Sequence, residues 1–494
     1  MNQATHAFED MQVFRVMQRT ARFIMATLAI AGGVAVFLLA PTSARGQEAN
    51  LTKLRDEAAQ LLAEYLRINT TSPPGNELAA ARWLQATLAK EGIESRILDT
   101  AELGSGRANL YARLKGSGSK KAIALVHHMD VVPVFGEQWS VDPFAGVIKD
   151  GFVWGRGALD DKGQGIVHLV TMVAFKRAGI QLERDIVFIA NADEESDATG
   201  AIAFTARHAD LLADVEYLIT EGGGTWVKNG KTRWFGIGVA EKRPYWVSLT
   251  VKGGPPSHGS TPRRDNPVPR LARAVARLGA WETPVRVLPA VDRLMKSAAR
   301  YETQERRLWL GDVKTSLKIP RARRWILSSH IRNALLRNTV TPTVLSASNK
   351  TNTIPASASA EVDIRLLPDE DTAVFVRELK RVIGDSAVQV KLMASVPPEY
   401  SAPLETDLVR AVELVVAELL PGVQVTTTFE AGASDRPFYA QLEHIAVYGI
   451  DPFLLDEDTE APRFHGNDER VSVENLGFGV NFFISLVKSL SRGE

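Results

Sequence analysis

Five short segments, far apart in the chain, carry oxygen and nitrogen ligands of the kind a pair of divalent cations needs. They are His128-Met129-Asp130, Gly157-Ala158-Leu159-Asp160-Asp161-Lys162-Gly163, Asp193-Glu194-Glu195, Thr220-Glu221-Gly222-Gly223 and His465-Gly466. Zinc takes His nitrogen and Asp/Glu oxygen, and a catalytic zinc keeps one position for water. Two metals about 3.5–4 Å apart can hold one water and polarise one carbonyl. The chain has no cysteine, so thiolate ligands and disulfides are excluded and any transition metal must be held by His, Asp and Glu. No segment is diagnostic alone. A His-x-Asp pair is more often a structural hydrogen bond, paired glutamates a solvated acidic loop, and a single histidine an ordinary loop residue. The joint set carries the reading.

His128 and Asp130, two apart in extended chain, point to one face. Asp130 can then hold the second ring nitrogen of a ligating His128, while the adjacent His127 faces the opposite side and is not a ligand. Asp160 sits in a glycine-rich run whose glycines allow close backbone approach. Its spacing fits neither the Walker nor the dinucleotide fingerprint, and its two oxygens could bridge two metals. Glu194 and Glu195 follow an apolar segment, where neighbouring carboxylates cost stability unless cations offset them. One can be a ligand and the other a general base, its pKa tuned toward neutrality by burial.

The elements that must position these residues alternate. Helical spacing over Leu51–Leu66 and Glu77–Leu88 is followed by a strand at Ala122–Val126, a helix at Gly165–Ala178 and a strand at Ile186–Ala190. A helix at Ala198–His208 and a strand at Val215–Ile219 come next. This pattern predicts an α/β fold with a mostly parallel sheet. His128, Glu194, Glu195 and Glu221 each fall just after a strand, where open α/β sheets place their sites.

The pattern changes near Pro244. Tyr245–Lys252, Ser357–Leu366 and Val388–Met393 read as strands, and Val268–Leu278 and Thr372–Ile383 as helices. An α+β strand–helix–strand–strand–helix–strand module over about 244–397 is expected. The stretch from Thr283 to Arg337 has thirteen Lys/Arg against four Asp/Glu, and a basic insert is expected near 283–340: a solvated charged face, or a surface for an acidic partner. From Leu404 the α/β pattern returns, with a helix to Leu420, a strand near Val423–Thr428 and a final helix after Val473. The expected division is a leader with linker at 1–48, a catalytic domain at 49–243 and 398–494, and the inserted module between its two parts.

Composition bounds the partners. At 494 residues the chain is long for one core, and its 45% hydrophobic and 23% charged content is that of a globular protein. A formal net charge of zero argues against an overall grip on nucleic acid. Near the N-terminus Arg15, Arg19 and Arg22 precede an apolar run, Phe23 to Ala40, then Pro41-Thr42-Ser43-Ala44. That order reads as an export signal; uncleaved, the run would be a membrane anchor.

The ordered series His-x-Asp, Gly-Arg-Gly-Ala-x-Asp-x-Lys-Gly, Asp-Glu-Glu, Glu-Gly-Gly and a C-terminal His-Gly resembles the co-catalytic dizinc metallopeptidase family. That family includes aminoacylase, carboxypeptidase G, carnosinase, succinyl-diaminopimelate desuccinylase and carboxypeptidase S. The resemblance implies two Zn²⁺ per chain, one held by His128, Asp160 and Glu221 and the other by Asp160, Glu195 and His465. It implies Glu194 as general base and Asp130 as the residue orienting the first ligand. It implies a ferredoxin-like lid and homodimerisation through it, with His258, from Gly253-Gly254-Pro255-Pro256-Ser257-His258-Gly259-Ser260, stabilising the oxyanion in a neighbouring site. Asn352 and Arg365 resemble the pair that grips a substrate carboxylate, and Ser434, in Gly432-Ala433-Ser434-Asp435, a substrate-binding turn. The long basic insert resembles the larger, carboxypeptidase S-like branch. The implied activity is hydrolysis of an amide next to a free carboxylate, in short peptides or, alternatively, N-acyl amino acids. An inactive metal-bound peptide- or amino-acid-binding module is the rival from another class.

Overall fold

The computed structural model describes residues 41–135, 138–394 and 396–492. The apolar run Phe23 to Ala40 lies outside the described residues, among which no helix is long and apolar enough to cross a membrane. Contacts divide the chain after Leu54, and both main sheets belong to the second unit, Arg55–Glu494.

The larger sheet has ten strands. At its centre Ile186–Asn191, Ala122–His128, Val215–Thr220 and Ala446–Gly449 lie side by side and parallel. The first two of these are buried along their whole length, which is why they read as continuous apolar runs rather than alternating ones. The helices Lys162–Ala178 and Val473–Arg492 contact each other, and the first also packs on the central strands. Register pairs His127 with Ala190 and His128 with Asn191. The carboxyl ends of three neighbouring strands therefore open onto one place. The long strand Lys231–Glu241 runs antiparallel to its neighbour Thr225–Lys228 and parallel to Gln424–Glu430.

The smaller sheet is antiparallel, in the order Gln389–Leu392, Val247–Lys252, Ser357–Leu366, Thr339–Ser346. With the helices Pro267–Gly279 and Thr372–Ile383 it makes the expected ferredoxin-like connection. Along Ser357–Leu366 burial alternates residue by residue, as a sheet with one covered face requires. The covered face and the two helices share a core that includes Leu249, Val251, Leu271, Leu278, Ile364, Phe375 and Leu379. Both helices start on side-chain caps: Asn266 accepts from the Val268 amide and Asp371 from the Val374 amide. Between Pro267–Gly279 and Thr339–Ser346 the basic insert forms short helices, among them Pro289–Ala298, Gln304–Gly311, Pro320–Ser328 and His330–Leu335.

Candidate active site

His128 ends its strand with its ring buried. Its Nδ1 lies 3.0 Å from the main-chain carbonyl of Asp130 and so donates there, which aims Nε2 at Asp160, where it donates while protonated and can ligate once that proton is lost. The Asp130 carboxylate is 3.6 Å from that ring. Instead it accepts the amides of Glu194 and Glu195, one per oxygen, both at 3.0 Å. Asp130 thus holds His128 through its backbone and the two glutamates through its side chain. His127 faces away and meets the Tyr65 hydroxyl at 3.2 Å.

Asp160 links the two histidines. Its Oδ1 is 3.0 Å from His128 Nε2 and its Oδ2 is 3.1 Å from His465 Nε2, which is also 3.2 Å from Glu195 Oε2. The ligand atoms of His128, Asp160 and Glu195 lie within 4.8 Å of one another, as do those of His128, Glu194 and Glu221. These groupings cut across the two sets implied by the resemblance, but they share His128 and form one continuous cluster. All five candidate ligands and Glu194 are therefore brought together.

Three carboxyl groups in this cluster are pushed upward. Burial raises Glu194 well above the usual carboxylate range, with the Glu221 charge adding to it. Burial likewise raises Glu221 to about 8, and nearby Asp160 and Glu195 add to the shift. Burial also raises Glu195. Asp160 goes the other way: burial pushes it up, but hydrogen bonds from His128 and His465 outweigh that and hold it low. His465 is raised to about 10 by its contacts with Asp160 and Glu195. Glu195 Oε1 and Glu221 Oε1 are buried and have no hydrogen-bond partner. Unpaired buried oxygens on this scale cost free energy unless a cation takes them. The donor set, two imidazoles and several carboxylates without sulfur, is one that divalent cations bind, and the residues fit a metal pair.

Two supports were not read from the sequence. Glu469, fully buried, accepts from Arg156 Nη1 at 2.6 Å and from the amides of Gly157, Leu159 and Asp160 at 3.0, 2.8 and 3.1 Å. Arg156 also donates to the His465 carbonyl at 3.3 Å, so one ion pair joins the Asp160 loop to the His465 loop. Under Glu221 lies Arg436, buried and paired with Glu241 at 2.7 Å and Glu430 at 3.0 Å. Gly222 has φ +111, and a Cβ there would sit 3.0 Å from the Arg436 guanidinium carbon, so the residue after Glu221 must be glycine. Asp435, held by Asn191 at 2.8 Å, keeps its other oxygen buried without a partner and is raised by burial to about 7.

A cavity of about 860 Å³ opens over the cluster, lined by segments beyond the strand ends of the larger sheet and by residues of the smaller one. Glu194, Glu195, Ser434, Phe438 and His465 line it from one side, Trp246, Arg365, Leu392 and Met393 from the other. Arg365 is braced by Asp363 at 2.9 Å and stacks on Trp246 at 5.4 Å. The Ser434 hydroxyl donates to Glu241 at 2.7 Å and accepts from Arg436 Nε at 2.9 Å, so its hydrogen bonds are made within the protein. His258 and Asn352 do not line this cavity. His258 is exposed and its Nε2 is 3.5 Å from Asn352 Nδ2.

Comparison with known proteins agrees with this geometry. A sequence profile described as Peptidase family M20/M25/M40 matches residues 124–489. A probable carboxypeptidase S-like 2 of Dictyostelium discoideum is 28% identical over 391 residues, covering 76% of this chain and 72% of the relative. The human N-fatty-acyl-amino acid synthase/hydrolase PM20D1 is 27% identical over 397 residues, covering 77% and 76%. Among solved structures, the M20 family metallo-carboxypeptidase Sso-CP2 from Sulfolobus solfataricus superposes with a TM-score of 0.68 at 19% identity, covering 87% of this chain and 98% of that one. The fold, the metal-ligand cluster at the strand ends and a profile match over most of the chain lead to one conclusion: the protein belongs to the M20 peptidase family and is a metallohydrolase.

Proposed function

We propose that the chain hydrolyses an amide whose amine side is an amino acid with a free carboxylate, using two zinc ions held by His128, Asp160, Glu195, Glu221 and His465. The observation that carries this reading is the shared cavity, with the ligand cluster and Glu194 on one wall and the braced guanidinium of Arg365 on the other. A guanidinium grips a carboxylate through paired hydrogen bonds, which sets the amine end of the substrate against the lid-side wall. The chemistry a bound ion pair supplies is polarisation of the carbonyl and acidification of a water. Glu194 takes the proton from the attacking water and returns it to the leaving nitrogen. Its buried position raises its proton affinity, as suits a group working near neutral pH. Asp130 keeps Glu194 and Glu195 in register through their amides.

N-acyl amino acids are the second reading, favoured by the apolar Ile202, Leu392, Met393 and Phe438 in the same cavity. The test is a panel of dipeptides and N-acyl amino acids, assayed with added zinc, with chelator and with Glu194→Gln. Hydrolysis that needs metal, and falls about 10²–10⁴-fold in the variant while bound metal stays at two per chain, is the expected result. Full turnover in Glu194→Gln would remove the base.

The same reading includes the division at 49–243, 244–397 and 398–494, export directed by the N-terminal segment, and a homodimer formed through the lid. Support for the dimer comes from the edge strand Thr339–Ser346, where Val344 and Leu345 are exposed, and from His258, exposed and away from its own chain's cavity. Cell fractionation and sedimentation velocity test export and dimer separately.

A further inference from the structure

We propose that the helical insert between Pro289 and Leu335 is a docking surface for an anionic lipid bilayer. Leu308 and Ile331 are 71% and 73% exposed, and Ile319 and Tyr301 each 46%. The same short helices and their connections also carry Arg300, Arg307, Lys314, Lys318, Arg323 and Arg324, all exposed. Among the described residues none of these six makes an ion pair; of the insert's acidic side chains, Glu302 pairs with Arg306, Glu305 with Arg321 and Asp292 with Lys296, while Asp312 caps the Thr315 amide. Surplus positive charge interleaved with isolated large aliphatic side chains is the chemistry of a surface that meets anionic headgroups and inserts shallowly between them.

The platform is rigid. Trp309 and Trp325 lie 5.7 Å apart between Gln304–Gly311 and Pro320–Ser328. Arg306 and Arg332 stack on Trp325 at 5.1 and 4.2 Å, and Arg321 on Trp309 at 5.8 Å. These contacts lock the short helices together, so Leu308 and the surrounding cations are presented without an ordering cost at binding. Two other occupants fit less well. A polyanion such as nucleic acid would engage the cations but gains nothing from exposed leucine and isoleucine. A second copy of the chain would bring six unpaired cations against six more. None of these residues lines the catalytic cavity, so the inference is independent of the proposed reaction.

The test uses the full-length protein with vesicles of phosphatidylcholine alone or mixed with phosphatidylglycerol, read by co-sedimentation. The N-terminal segment is common to wild type and variants, so the difference between them, rather than the wild type's preference for anionic vesicles, isolates the insert. Binding to the anionic vesicles at least about tenfold tighter than to the neutral ones, and weakened by salt, is expected. Arg307→Glu combined with Arg323→Glu and Arg324→Glu should lower that binding by about 10²-fold or more. Leu308→Ser with Ile331→Ser should lower it several-fold while hydrolysis of a soluble substrate is unchanged. Equal binding to both vesicles, or no loss in either variant, overturns the proposal. So does DNA or heparin retention in place of vesicle binding, or loss of dimer in the Leu308→Ser, Ile331→Ser protein.

Discussion

Replacing Glu469 by Gln should weaken the fold and the metal site together, and the size of each effect follows from its contacts. The carboxylate serves four donors through two oxygens: Arg156 and Gly157 on Oε2, Leu159 and Asp160 on Oε1. Glutamine keeps one acceptor oxygen and turns a donor toward the other pair. Arg156, only 2% exposed, is then left as a buried cation without its counter-ion, a loss of about 3–5 kcal/mol. Because the same carboxylate holds the amide of Asp160, divalent-metal affinity should fall by roughly 10–100-fold, the usual cost of losing a group that orients a ligand. Urea unfolding of the metal-free protein measures the first effect, and competition against a chelator of known affinity the second. A partner substitution sharpens the result. Arg156→Met alone should cost less than Glu469→Gln, and adding it to Glu469→Gln should recover part of the stability by removing the stranded charge. A Glu469→Gln protein as stable as wild type, or a double variant whose losses simply add, would refute the argument that this ion pair organises both loops.

Further outcomes are expected. Arg365→Ala should raise KM about 10–100-fold for substrates with a free carboxylate, a loss in the range of a charged hydrogen bond, and leave amidated analogues unaffected; steady-state kinetics on both separates the cases. Asp435→Asn removes a negative charge that raises Glu194, so the acidic limb of the pH–kcat profile should move to lower pH. His168→Leu should protect the protein against acid. His168 is buried edge-on against Phe483 at 4.6 Å, neither ring nitrogen has a partner, and burial lowers its pKa from 6.5 to about 3. The unfolded chain therefore binds the proton first as pH falls below 6.5, and stability drains until about pH 3. The variant should lose less stability than wild type between pH 7 and about 4.5, read as urea midpoints at both ends of that window.

Much of the fold was visible in advance for a specific reason. Ala122–His128 and Ile186–Asn191 are buried on both faces and so appear as unbroken apolar runs, and the chemistry-bearing residues sit directly beyond their ends. Ser357–Leu366, covered on one face, announces itself by alternation. Lys231–Glu241 is harder to read: Phe235, Ile237 and Val239 mark one buried face, but the other is carried by glycine, which reads as a turn residue, because a Cβ at Gly236 would come within 2.6 Å of the main-chain oxygens of Gly223 and Gly224. Ser95–Leu98 and Ala446–Gly449 are four residues each, too short for any period to show. The cluster of His128, Asp160, Glu194, Glu195, Glu221 and His465 was legible as a set of motifs, but its scaffolding was not. Glu469 lies 313 positions from Arg156 and Ser434 193 from Glu241, and nothing local distinguishes a glutamate that folds onto a distant arginine from a solvated one. Asp130 shows the same limit: the spacing places it beside His128, but only three dimensions reveal that its carboxylate caps the Glu194–Glu195 backbone.

The ion pair between Arg156 and Glu469 also constrains the order of events during biosynthesis. A nascent chain that has emerged only as far as the ferredoxin-like module already contains His128, Asp160, Glu194, Glu195 and Glu221, yet lacks His465 and the carboxylate that clamps the Asp160 loop. The full set of ligating side chains is therefore assembled only after the final stretch of polypeptide has been added.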